Sequence, residues 1–306
     1  MAPKVVLVTG VADQLGGQLA ARLADDPAIE RVLGVDTAPP SVSLATRARF
    51  YRADIRDPRI AKLIDSARVD TVVHAAPRSG AAFKEHNVIG TMQLLAACQR
   101  SSTVRKLVVK STAEVYGGGA GAPAVFTEQD APDRGGDALE VEGYARGLAR
   151  RRPDVCVTTI RLAEVIGPAV DNALTRYFSL PVVPTVLGFD ARVQFVHIAD
   201  ALAVFERAIT HDLPGVFNVG GDGVLMLSQA IRRAGRVPLP VPRAAIGPAT
   251  RLAGGRVELS PGLFRLLSHG RVLDTTRLKT TFGFTPRWTT TAAFDDYVRG
   301  SRAELA

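Results

Sequence analysis

The sequence predicts an α/β protein: a doubly wound parallel sheet followed by a smaller lobe. Three observations lead there. The chain begins with a β-branched run, Val5–Val8, that breaks at Thr9-Gly10 and restarts as a helical pattern through Leu15, Leu19 and Leu23. A second apolar run, Arg31–Val35, ends in a single acid, Asp36. Apolar strand patterns then alternate with helical ones across the first two-thirds of the chain, which implies parallel strands joined by right-handed helical crossovers.

Taken in order, Arg49–Ala53, Thr71–Ala75, Lys106–Lys110 and Val155–Ile160 are near-continuous apolar runs, the pattern of strands buried on both faces. Between them, Pro58–Ala67, Lys84–Gln99 and Asp137–Arg151 carry helical periodicity. From about Phe178 the pattern loosens, because Pro181, Pro184, Pro214, Pro238, Pro240 and Pro242 interrupt it. One clear helix remains at Ile198–Thr210, and a second pattern lies at Ala292–Arg299. The expected division is therefore 1–177 for the main domain and 178–306 for a smaller lobe, with segments of the latter returning to the main sheet. Gly117–Gly136 is rich in Gly, Ala, Pro and Asp without periodicity, the composition of a long loop placed like a lid.

Ligands of open parallel sheets bind beyond the carboxyl ends of the strands, so Gly10, Asp36, Asp54, Ala75 and Thr112 should converge. The first turn has a specific chemistry. Glycines at 10, 16 and 17 let backbone approach a pyrophosphate, and the helix that follows offers free N–H groups and the positive end of its dipole. Asp36, at the end of the next strand, is placed to accept ribose hydroxyls and to repel a 2′-phosphate, which favours NAD over NADP. Together they mark the main domain as a Rossmann-type nucleotide-binding unit.

The 306 residues carry a formal charge of +8, nearly all of it on arginine. The basic residues are spread out, with clusters only at Arg150-Arg151-Arg152 and Arg232-Arg233, which argues against a nucleic-acid surface and for a phosphorylated ligand. No apolar run is long enough to span a bilayer, and the first strand starts too early for a signal peptide. Cys98 and Cys156 fall in apolar segments and read as packing residues of a reduced, cytoplasmic protein. His86 and His211 have no partner at metal-ligand spacing, so no metal is expected.

Several stretches, in order, resemble the extended short-chain dehydrogenase/reductases, the NAD-dependent epimerase/dehydratase group. Thr9-Gly10 with Gly16 is similar to that family's TGxxGxxG, and Asp36 to its ribose-binding acid. Asp54-Ile55 resembles the pair that touches adenine, Val73-His74-Ala75-Ala76 the cofactor-lining HxAA, and Asn87–Thr91 the NVxGT segment. Ser111–Gly117 is close to SSxxVYG, and Val196–Asp200, Phe217–Gly220 and Phe282–Pro286 resemble markers nearer the C-terminus. The likeness covers essentially the whole chain and is greatest to an actinobacterial subgroup labelled UDP-glucose 4-epimerase-like. It implies NAD, with Gly10, Asp13, Leu15, Gly16, Asp36, Asp54, Ile55, Ala75, Ala76, Asn87 and Lys110 around it. The implied activity is epimerase, dehydratase or oxidoreductase chemistry on a nucleotide sugar or similar hydroxylated substrate. It also implies a possible homodimer, through the helix at Lys84–Gln99 and the tyrosine helix.

The chemistry so implied needs a Ser or Thr hydroxyl, here Thr112, and a tyrosine, here Tyr144. It also needs a lysine four residues later, to hold the nicotinamide ribose and lower the tyrosine pKa. In Tyr144-Ala145-Arg146-Gly147-Leu148 that place is leucine, which would present methyl groups to the ribose. Arg146 points elsewhere, and helical spacing sets Glu140 on the Tyr144 face, where its charge would oppose phenolate formation. An ordinary tyrosine, with a pKa of about 10, is only about 0.1% phenolate at neutral pH, and lowering that pKa to 7 needs about 4 kcal/mol. Lys110 lies two residues before Thr112 on the same strand face and could supply the missing charge, or could simply snorkel from the sheet.

Two further positions depart from the pattern. Asp13 replaces the central glycine of the turn, where it either repels the pyrophosphate or N-caps the helix. Glu164 stands where an asparagine usually helps to hold the substrate diphosphate, and Arg192 and Arg161 are anion contacts or surface arginines. His74 reads as a packing residue beside the cofactor, and His197 as a helix-capping one. Two functions remain open: an NAD-dependent enzyme with an atypical site, and a catalytically silent scaffold that binds a dinucleotide and acts through a protein partner.

Overall fold

The computed structural model describes residues 3–44, 47–76, 84–119, 121–132, 136–253, 257 and 259–303. Valines and leucines at the start form β1 (Val5–Thr9), buried along its whole length, and the chain turns at Gly10 into α1 (Gln14–Asp25). There follow β2 (Arg31–Asp36), β3 (Ala48–Arg52), α2 (Arg59–Ala67), β4 (Thr71–His74), α3 (Lys84–Arg100), β5 (Lys106–Thr112), α4 (Asp137–Arg151) and β6 (Cys156–Leu162). Next come β7 (Glu164–Ile166), α5 (Ala173–Ser179), β8 (Val182–Val186), β9 (Arg192–Val193), β10 (Phe195–His197), α6 (Ile198–Thr210) and β11 (Gly215–Val219). The chain ends with β12 (Leu225–Met226), α7 (Leu227–Arg233), β13 (Val237–Val241), α8 (Ile246–Leu252), α9 (Pro261–His269), α10 (Thr276–Thr280) and α11 (Thr290–Ala303).

Seven strands form one sheet in the order β3-β2-β1-β4-β5-β6-β11. The chain starts in the middle at β1, pairs parallel with β2 on one side and β4 on the other, and reverses its winding there. That reversal is the switch point at which doubly wound sheets bind ligands. Strands β1, β2 and β4 therefore deliver Gly10, Asp36 and Ala75 to one end of the sheet.

The chain clusters into two compact units. The first takes residues 1–112, 136–161 and 201–217, and the second takes 113–135, 162–200 and 218–306. The boundary expected at 177/178 falls inside the second unit, and the stretch containing most of α6 and of β11 belongs to the first. The core of the first unit includes Leu7, Val72, Leu94, Leu107 and Leu148. Cys98 lies in it too, and burial pushes its thiol up to about 12. The second unit has its own core, an aromatic cluster in which Phe178, Phe195, Phe294 and Tyr297 contact one another.

The prolines of the C-terminal third do not all interrupt structure, contrary to the sequence expectation. β8 and β13 pair parallel, with Pro184 opposite Leu239. Pro238 and Pro240 are two residues apart, so both missing N–H groups fall on the same edge of β13. In a two-stranded sheet that edge needs no donors, and the alternate residues Val237, Leu239 and Val241 keep theirs. The 117–136 segment is also more tied down than its composition suggests. Phe126 donates to Val272 O at 2.8 Å, accepts from Asp274 N at 2.7 Å and stacks on Tyr116. Residues 120 and 133–135 of that segment lie outside the described ones.

Candidate functional site

The glycine turn is built in the first unit from β1 and α1. Gly10 has φ +82°, and a Cβ there would lie 2.6 Å from the Ala76 backbone, so only glycine fits both the turn and the adjoining strand end. A Cβ on Gly16 would collide with the Gly10 carbonyl. Asp13 N-caps α1, its carboxylate accepting from Gln14 N at 2.8 Å. The geometry of a first helical turn leaves the N–H groups of Leu15 and Gly16 without intrahelical acceptors. Asp36 is nearly buried at the end of β2, where it accepts from Ala12 N at 3.0 Å and Thr37 N at 2.7 Å. Two backbone donors thus fix its carboxylate beside the turn.

The next strand ends are equally specific. Asp54 accepts from the backbone and guanidinium of Arg56, which hold its carboxyl below the usual carboxylate range, and His86 lies 3.7 Å away. Ile55 is buried against Gly90, where a Cβ would lie 2.5 Å from it. Asn87 donates to Asp137 at 2.8 Å, linking α3 to α4.

His74 is a packing residue. Thr91 Oγ1 donates to Asn87 O, so it accepts from His74 Nε2, and His74 Nδ1 then accepts from Thr9 Oγ1. This chain of bonds assigns a neutral ring, and complete burial pushes its pKa down to about 3.

At the end of β5 the structure departs most from expectation. The Lys110 ammonium donates to Asp13 Oδ2 at 3.2 Å and to Ala75 O at 3.4 Å. It is thus engaged at the glycine turn. Thr112, the last residue of β5, is half-buried. Ser111 donates to Glu142 Oε1 at 2.6 Å, and Arg161 makes a two-pronged pair with the same carboxylate at 2.9 and 2.7 Å. Arg161 is therefore neither an anion contact nor a surface arginine: with side chains 2% and 1% exposed, it and Glu142 are buried together.

Leu148 does not present methyl groups to a ribose. It is fully buried with Val141, Ala145 and Cys98, because residues 141, 145 and 148 share the inner face of α4. Tyr144 packs half-buried against that cluster, while Glu140 and Arg146 are exposed.

The two substrate candidates lie in the second unit. Glu164 sits 3.7 Å from the buried Arg271, and desolvation together with the Glu114 carboxylate pushes its pKa up to about 7. Arg271 also donates to Gly117 O at 3.0 Å. Arg192 is exposed and lines a cavity of about 270 Å³ with Gly118, Phe189, Asp190 and His269. Its backbone carbonyl accepts from Arg271 N, which joins β9 to the segment that carries Arg271. His197 caps α6: its Nδ1 accepts from Ala199 N, which leaves Nε2 to donate to Asp296 at 3.1 Å, with Trp288 stacked on the ring.

Among the described residues no group of three or more His, Cys, Asp or Glu side chains is arranged to hold a metal ion. None of their helices is long and apolar enough to cross a membrane.

Sequence reasoning missed Glu142, which in isolation reads as one more helix-surface acid, and the attachment of Lys110 to Asp13.

The model of the NAD dependent epimerase/dehydratase family matches residues 6–220. An uncharacterized protein of Mycobacterium tuberculosis is 53% identical over 316 residues, covering 97% of this chain and 84% of its relative. Among solved structures, a UDP-glucose 4-epimerase of Thermotoga maritima with UDP-glucose has a TM-score of 0.78 at 21% identity, covering 99% of this chain and 100% of that one. A UDP-glucuronic acid 4-epimerase of Bacillus cereus in complex with UDP-glucuronic acid and NAD has a TM-score of 0.75 at 20% identity, with coverage of 99% and 100%. At these identities the two structures show a shared fold.

Proposed function

The chain belongs to the NAD dependent epimerase/dehydratase family, and from that premise we propose an NAD-binding enzyme acting on a nucleotide sugar or related hydroxylated substrate through an atypical active site. The observation that carries this reading is the convergence, in one compact unit, of the glycine turn, the anchored Asp36 and Thr112.

The residues fit the adenosine and phosphate half of NAD. Asp36 would take the ribose hydroxyls, its carboxylate already fixed by Ala12 N and Thr37 N, and the free N–H groups of Leu15 and Gly16 would take the pyrophosphate. At Gly10 and Gly16 a Cβ would strike the Ala76 backbone and the Gly10 carbonyl, so glycine at both positions keeps the turn packed close to the neighbouring strand end. When bound, NAD supplies the acceptance and return of hydride. Thr112 orients the reacting hydroxyl, and the Tyr144 hydroxyl holds or receives its proton. With Leu148 turned into the core, no α4 cation assists the tyrosine, so turnover should be slow. Arg192 and Glu164, both in the second unit, are the proposed substrate contacts.

A second reading, a silent scaffold that binds a dinucleotide and acts through a protein partner, is favoured by the burial of Leu148. Incubation with NAD and a set of UDP- and dTDP-sugars, followed by NMR of the sugar, separates the two. Conversion of any sugar supports the enzyme, whereas NAD binding with no conversion across the set supports the scaffold. Ile89 and Met92, exposed on α3, support a homodimer through that helix, and sedimentation at the monomer mass would count against it.

A further inference from the structure

Two charges at the proposed nucleotide site are partners, although 97 residues separate them in sequence. Asp13 replaces the central glycine of the phosphate turn, and its carboxylate stands at the N-terminus of α1, the position an anionic ligand would seek. Lys110 reaches it from β5, Nζ to Oδ2 at 3.2 Å, and is steadied by the Ala75 carbonyl at 3.4 Å. Lys110 is the less exposed of the two, at 19% against 41% for Asp13, so the lysine is fixed by the sheet and the acid faces the open side.

We infer that Lys110 is a positioning residue for the dinucleotide phosphates: it cancels and holds the Asp13 carboxylate so that a pyrophosphate can reach the Leu15 and Gly16 N–H groups. This rests on the NAD reading above. Without the ammonium, a carboxylate beside the helix N-terminus would compete with the ligand for those donors and repel it. With the ammonium, the pair is neutral and the helix dipole remains available. The lysine is then no displaced partner for Tyr144. It compensates for the aspartate, and the two residues form a unit.

The experiment is calorimetry of NAD, ADP-ribose and uncharged adenosine on wild type, Lys110→Met, Asp13→Asn and the double variant, with a thermal melt of each. Asparagine keeps the N-cap while removing the charge. The expected result is that Lys110→Met weakens NAD and ADP-ribose by about tenfold or more, the direction set by an uncancelled like charge. Adenosine affinity should be unchanged, and Asp13→Asn in the same background should restore both phosphorylated ligands. Equal or tighter NAD binding by Lys110→Met, with wild type binding normally, overturns the inference and leaves the proposed function standing. Parallel loss of adenosine binding, or failure of the double variant to recover, also overturns it. Absence of NAD binding by wild type overturns the proposed function and the role given to the pair together.

Discussion

Replacing Glu142 with alanine should lower stability by about 3–5 kcal/mol, the range for removing one partner of a buried ion pair. Arg161 is 2% exposed and directs two donors at that carboxylate, so its buried charge would lose this counterion. Ser111 would lose its acceptor as well. The urea midpoint of unfolding measures the loss. Replacing both partners together, Glu142→Leu with Arg161→Met, should recover most of it, because the desolvation cost disappears along with the attraction. If the single variant is as stable as wild type, the pair is not holding α4 against β5 and β6. The consequence reaches function, since α4 also carries Tyr144.

The second large effect is on turnover. Tyr144→Phe should reduce the rate with an accepted sugar nucleotide by about 10²–10⁴-fold, the usual contribution of a positioned acid or base. NAD affinity should stay unchanged, because the proposed adenosine and phosphate contacts come from other elements. A variant with full turnover would remove Tyr144 from the chemistry. Placing a lysine at 148 tests the same point from the other side. Leu148 is fully buried, so Leu148→Lys should destabilise the core instead of restoring a faster enzyme.

Much of the fold is legible in the sequence because its central strands are buried on both faces. Continuous apolar runs such as Val5–Val8 and Thr71–Ala75 suit a strand covered by helices on each side and little else. The C-terminal third is harder to read. Strands β9 and β12 are two residues each, too short to establish a period, and β13 alternates with prolines that would exclude it from the middle of a sheet.

The site divides in the same way. Gly10, Asp13, Gly16 and Asp36 lie within one strand–helix–strand unit, where local spacing fixes geometry. Lys110 and Asp13, or Glu142 and Arg161, meet only through the tertiary fold. Strand alternation placed Lys110 on the face of Thr112 but did not indicate which strand end it would reach. Helical spacing set Leu148 on the side of Tyr144 but could not reveal that this side turns into the core.

The central claim is that the first unit binds NAD despite Asp13 and without a lysine at 148. Calorimetric titration of purified wild type with NAD, after checking a denatured aliquot for carried-over cofactor, tests it most directly. Saturable binding well below millimolar NAD, or NAD released on denaturation, is the expected result. No heat of binding at millimolar NAD and no released cofactor would contradict it.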